Sequence, residues 1–327
     1  MNRAPHAPCL HAAAVVACCL SFAMASLARA GDPASAVAPL VDDLSTVIVR
    51  VDPAAFRIPA VPPAITESVK AVVPEMAAKL DAELARLERV RAAVAAGIAG
   101  ESVYATIALP VSHAEWHAFA FLVPSKNYPP EAVEAAAKAV LPDLEPQPHG
   151  GLFVVHRKGD ANGPRLIKAF KPEQREEIAP AFAATAQYPV QVLVVPPPHV
   201  LRAFREILLP LPADSGGIDI RDVATGLRWA SLGVNPERFE AQLVLQAADA
   251  AAAERIAMAC EQARDAMIAA FERLAHKPMP ANGEAAGRRG GGRDDGWSAA
   301  RAVIALPILR SMHVTADGRR AIMRFSP

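Results

Sequence analysis

The side chains best placed to do chemistry together in this 327-residue chain are His113, Glu115 and His117, in the run His113-Ala114-Glu115-Trp116-His117. If the run is extended, its two-residue period puts all three on one face. Two imidazoles and a carboxylate are a ligand set for zinc or another borderline divalent metal, with a position left open for water or substrate. Such a centre would support metal-assisted hydrolysis. The spacing is not H-E-x-x-H, which puts two histidines on one helix face. The run is expected at a hairpin tip, where polar residues also collect simply because they are solvated. His156 is the one further imidazole that a neighbouring strand could add.

Other reactive patterns are incomplete. His149-Gly150-Gly151 resembles the oxyanion-hole glycines of some esterases, but the chain has no G-x-S-x-G after a strand. Ser215-Gly216-Gly217 lacks the Lys and Ser/Thr of a phosphate-binding loop, and no G-x-G-x-x-G follows a strand. Asp42-Asp43 reads as a solvated approach to the first strand, and Pro196-Pro197-Pro198 as a stiff strand-to-helix connection. No cofactor is implied. Three of the four cysteines, Cys9, Cys18 and Cys19, lie in the first thirty residues. Once those are removed, Cys260 alone can form neither an internal disulfide nor a cysteine-rich zinc site. Its helical neighbours Ile256, Ala263, Met267, Phe271 and Leu274 suggest a buried helix face.

The first thirty residues read as a cleavable export signal. Arg3 precedes an uncharged apolar run from Ala12 to Leu27, and Ala28-Arg29-Ala30 is a small-x-small cleavage site. The expected location is therefore the periplasm or cell envelope. The run is shorter than the ~20 apolar residues of a spanning helix, so no membrane span is expected after cleavage. Val15-Val16-Ala17-Cys18 resembles a lipobox, which makes a lipoprotein anchored at Cys18 the alternative. The whole chain carries 34 basic and 34 acidic side chains. It therefore has no net basic field to gather nucleic acid. Hydrophobic residues make up 52% of the chain, enough to build real cores.

The elements follow from periodicity. Residues 31–43 read as an extended leader. Ser45–Asp52 alternates as a strand. Apolar residues from Ile65 to Val94 recur at helical spacing, with a break at Pro74 and an end near Gly97. Strands are expected at 102–109 and 117–123 as a hairpin, and at 152–156 with 165–170 pairing back. A helix is expected at 129–140. In the second half a helix over 172–187 precedes a strand at 190–195, a helix at 199–208 and paired strands at 226–233 and 238–245. A helix capped by Asp249 and a hairpin turning at Asp317-Gly318 complete it. Trp116 and Trp229 are expected to pack on sheets.

The succession strand, helix, strand, strand, helix, strand, seen twice, predicts an α+β chain of two ferredoxin-like (split βαβ) modules. Their antiparallel sheets would carry helices packed on one face. The modules are expected at 31–187 and 188–327, after a signal peptide at 1–30. Gly283–Gly296 reads as a flexible Gly/Arg-rich insertion within the second. With no assembled reactive centre, the expected function is that of an exported envelope protein, binding or structural rather than catalytic. Its partner would be an envelope protein, glycan or lipid. The alternative is a metal-dependent hydrolase built on His113, Glu115 and His117.

Overall fold

The computed structural model describes residues 32–43, 45–59, 67, 74–97, 102–108, 120–122, 131, 144–149, 152–157, 171–207, 223, 225–275 and 305–326. The fold is α+β, built on a seven-stranded antiparallel sheet with helices. The sheet order is β2-β1-β6-β7-β8-β10-β9, and a separate three-stranded sheet runs β3-β5-β4. The strands of the larger sheet are β1 (Ser45–Val51), β2 (Val103–Ala108), β6 (Val190–Val194), β7 (Leu227–Asn235), β8 (Glu240–Ala247), β9 (His313–Asp317) and β10 (Arg320–Phe325). The smaller sheet holds β3 (Ala120–Leu122), β4 (Leu144–His149) and β5 (Leu152–Arg157). Among the described residues no helix is long and apolar enough to cross a membrane.

The chain divides into two compact units. The first holds β1 to β6 and the middle of β7. Its β1 reads Ser-Thr-Val-Ile-Val-Arg-Val and is buried on both faces, which is why β-branched residues fill it. β1 pairs antiparallel with β2 on one side and with β6 on the other, so the first strand joins a strand from the second half of the chain. The supposed extended leader is instead helical: α1 (Pro33–Val37) runs into a 3-10 turn (Ala38–Leu40). Asp32 caps α1 by accepting from Ala34 N–H at 3.1 Å and Ser35 N–H at 3.3 Å. The Ser35 hydroxyl, which donates to it, and then those backbone bonds hold its carboxyl below the usual range. Val37, Leu40 and Val41 are fully buried, so this segment is part of the core.

Helix α2 (Pro74–Gly97) starts at the proline expected to interrupt it and ends at the expected glycine. Near its end Arg91 is buried, paired with Glu88, and donates to the Pro53 carbonyl, which ties the helix to the loop after β1. The expected strands at 102–109 and 117–123 exist as β2 and β3 but do not form one hairpin, for each edges a different sheet. β4 was not anticipated, because its sequence is Leu-Glu-Pro-Gln-Pro-His. Pro146 and Pro148 are two residues apart, so their missing N–H groups fall on one side of the strand. An edge strand tolerates that. The expected strand at 165–170, the expected helix at 129–140 apart from residue 131, and the Gly/Arg-rich insertion lie outside the described residues. Helix α3 (Ile178–Ala183) is much shorter than the predicted 172–187. The stretch before it is held by Arg175, which donates to the Ser45 and Val195 carbonyls and pairs with Glu177.

In the second half of the chain several elements match the sequence reading. Helix α4 (Pro198–Ile207) opens on the last proline of the triplet, the residue suited to a first turn. β7 and β8 are joined by residues 236–239, and Trp229 is buried on β7. Helix α5 (Ala250–Ala275) is capped by Asp249, whose carboxylate accepts from Ala252 N–H at 2.7 Å. Gly318 has φ +55 in the two-residue turn between β9 and β10, where a glycine at the first central position suits a II′ turn. The expected apolar stripe of α5 is only half right. Ala252, Ala253, Ile256 and Ala257 are buried, Cys260 is intermediate, and Met267 and Leu274 are exposed. The fully buried side chains of the helix therefore lie in its first turns.

Candidate functional site

Among the described residues of the first unit, a cluster of convergent polar side chains crosses its sheet. The antiparallel register sets Tyr104 of β2 opposite Arg50 of β1, and Arg50 opposite Gln191 of β6. Residues directly opposite point to the same face, so the three form one row. The Arg50 guanidinium donates to the Gln191 Oε1 at 2.7 Å and to the Ser102 Oγ at 3.2 Å. The Gln191 amide donates onward to the Phe182 carbonyl at 2.8 Å and the Thr185 Oγ1 at 2.9 Å. Thr185 and Ser231 of β7 share a hydrogen bond of 2.7 Å between their hydroxyls. Gln191, Thr185 and Ser231 are completely buried.

Aromatic packing closes the row. Tyr104 meets Phe182 edge to face, with ring centroids 6.2 Å apart. Burial pushes the Tyr104 hydroxyl above its ordinary range, against the opposing pull of the Arg50 charge. Two residues along β7 from Ser231, the bare backbone of Gly233 lies against Tyr188: a Cβ added there would clash with the tyrosine ring and sit 2.9 Å from Thr185 Cβ. Asp52, two residues from Arg50 along β1, is half-buried. Its carboxyl is pushed up by burial, and less so is pulled down by the Ala55 N–H and the Arg50 charge.

The chemistry open to this cluster is narrow. Thr185 and Ser231 are hydroxyls bonded to each other, and Thr185 also to the Gln191 amide; among the described residues neither bonds an imidazole or amine that could act as a base. The Tyr104 phenol is driven away from ionisation. In the second unit the Cys260 thiol is pushed up to about 11 by burial, far from a nucleophilic thiolate at neutral pH. Among the described residues no three His, Cys, Asp or Glu side chains gather as a metal site.

His113, Glu115 and His117 lie outside the described residues, as do Trp116, Ser215–Gly217 and the export signal. His156 falls in β5 and His149 in β4, on adjacent strands of the three-stranded sheet. Asp42 takes part in the turn into β1, accepting from Ser45 Oγ at 2.7 Å. Arg50 and Gln191 were not singled out in the sequence. Their signal was there: each is a polar residue inside a β-branched run long enough to be a central strand. No family model, curated protein or solved structure matches the chain.

Proposed function

We propose that this chain is an exported envelope protein whose role is binding or structural rather than catalytic, with an envelope protein, glycan or lipid as its partner. The observation that carries this reading is the Tyr104–Arg50–Gln191 row. Its polar atoms bond to one another and to backbone, across three strands, so they brace the sheet. Among the described residues, the Tyr104 phenol and the Cys260 thiol are both shifted away from reactivity by burial. The apolar run ending at Ala28-Arg29-Ala30 supports the export address.

The two-module arrangement belongs to the same proposal. Its support is the succession strand, helix, strand, strand, helix, strand from β6 to β9, followed by one further strand, β10. In the sheet, β6, β7, β8 and β10 are neighbours in chain order, whereas a ferredoxin-like unit interleaves its strands, so sheet order lends no support. The proposal is tested by immobilising the mature chain and exposing it to envelope extract. It predicts saturable retention of one protein, glycan or lipid. Retention of nothing specific contradicts it.

A further inference from the structure

We propose that β9 is a self-complementary edge through which two copies of this chain pair into a continuous sheet. Among the described residues β9 ends the seven-stranded sheet, with four of its five residues exposed. Its free hydrogen-bonding side follows from the ladder. The Arg319 carbonyl accepts from Ala247 N–H at 2.8 Å, so that residue's main-chain groups face β8. Alternation then turns Arg320, Ile322 and Arg324 towards β9. Their partners Asp317, Thr315 and His313 face back, which leaves Val314 and Ala316 presenting N–H and C=O outward. Just before the strand, Met312 is already engaged: its N–H goes to Leu309 and its carbonyl accepts from Arg264.

One register uses both outward residues fully. Antiparallel pairing about a twofold axis at Thr315 sets Val314 opposite Ala316 of the second copy, twice, each pair exchanging two hydrogen bonds. That register also sets His313 of one copy opposite Asp317 of the other, again twice. An imidazole N–H donates to a carboxylate whether the ring is neutral or protonated. Within each copy the row continues inward, with Arg324 bonded to Gln242 and Arg320 bonded to Gln246. The incoming Asp317 thus arrives with an arginine beside it, and the imidazole meets it from the other side. Moving the axis to Val314 or to Ala316 loses both the His313–Asp317 pairs and half the main-chain bonds. Helix α5 packs on β8, β9 and β10. The twofold axis stands perpendicular to the sheet, so the two α5 helices lie on one face of it.

Sedimentation velocity on the purified full chain tests this. The wild type is expected to be a dimer at micromolar concentration. Ala316→Pro removes an outward N–H that no bond within the copy uses, and is expected to give a monomer with unchanged far-UV circular dichroism. Asp317→Lys is expected to weaken the dimer about tenfold, because two His313–Asp317 hydrogen bonds are lost. Adding His313→Asp to that variant restores the match and should recover most of the loss. A monomeric wild type, a dimer unaffected by a well-folded Ala316→Pro, or a double variant no tighter than Asp317→Lys alone each overturns the proposal.

Discussion

Replacing Gln191 by leucine is the sharpest perturbation of the sheet-spanning row. The side chain is fully buried, and leucine nearly matches its volume, so little cavity is created. What changes is hydrogen bonding. Arg50 loses its 2.7 Å acceptor, and the Phe182 carbonyl and Thr185 hydroxyl each lose a donor. A bond to a charged group contributes ~1.5–3 kcal/mol and each neutral one ~0.5–1.5 kcal/mol. Two terms soften the loss. Phe182 O still receives the Ala184 and Thr185 N–H groups, and the leucine buries apolar surface. The expected cost is about 3 kcal/mol, read from urea unfolding followed by far-UV circular dichroism and by tryptophan fluorescence, to which buried Trp229 contributes. Arg50→Met removes the other partner. Because replacing both partners by apolar groups can be nearly neutral, the double variant should be more stable than the two single losses predict, by ~1–2 kcal/mol. A Gln191→Leu cost under about 1 kcal/mol, or strict additivity with Arg50→Met, would refute the claim that this row braces the sheet.

Three further outcomes follow from the same geometry. Gly233→Ala should destabilise by ~2–3 kcal/mol, since its methyl would meet the Tyr188 ring, and Tyr188→Ala should recover much of that loss in the double variant. Cys260, with its thiol pushed up to about 11, should react with iodoacetamide at pH 7.5 far more slowly than a free cysteine, reaching that rate only on unfolding in urea; equal rates in the two states would contradict its burial. The Asp52 carboxyl is pushed up on folding, so the folded state binds more protons than the unfolded one between the ordinary and the raised value, and its charged form weakens the fold above that window. Asp52→Asn keeps an acceptor for Ala55 N–H and should therefore match or exceed wild-type stability at pH 7, with the difference vanishing in acid, as thermal melts across pH would reveal.

Periodicity made the second half of the chain legible. Asp249, the Asp317-Gly318 turn and the β-branched run at Val190 each carry a local signal that tertiary packing did not override. Other elements were hidden for identifiable reasons. Asp32-Pro33 is a cap followed by a first-turn proline, yet the helix it opens is too short to show an apolar period. The prolines of β4 argue against a strand unless that strand lies at an edge, and edge position is a property of the sheet. The apolar stripe of α5 predicted burial along its whole length, but how far a helix overlaps its sheet depends on strand placement, which no helical pattern encodes. The polar row was illegible as a unit because Ser102, Arg50, Gln191, Thr185 and Ser231 come from five separate segments, brought together by strand pairing and side-chain hydrogen bonds.

The most direct test of a non-catalytic role is metal analysis of the purified chain, wild type beside the variant with His113, Glu115 and His117 all changed to alanine. The account predicts no stoichiometric metal in either protein. About one zinc per chain in the wild type, lost from the triple variant, would contradict it and establish the metal-dependent alternative.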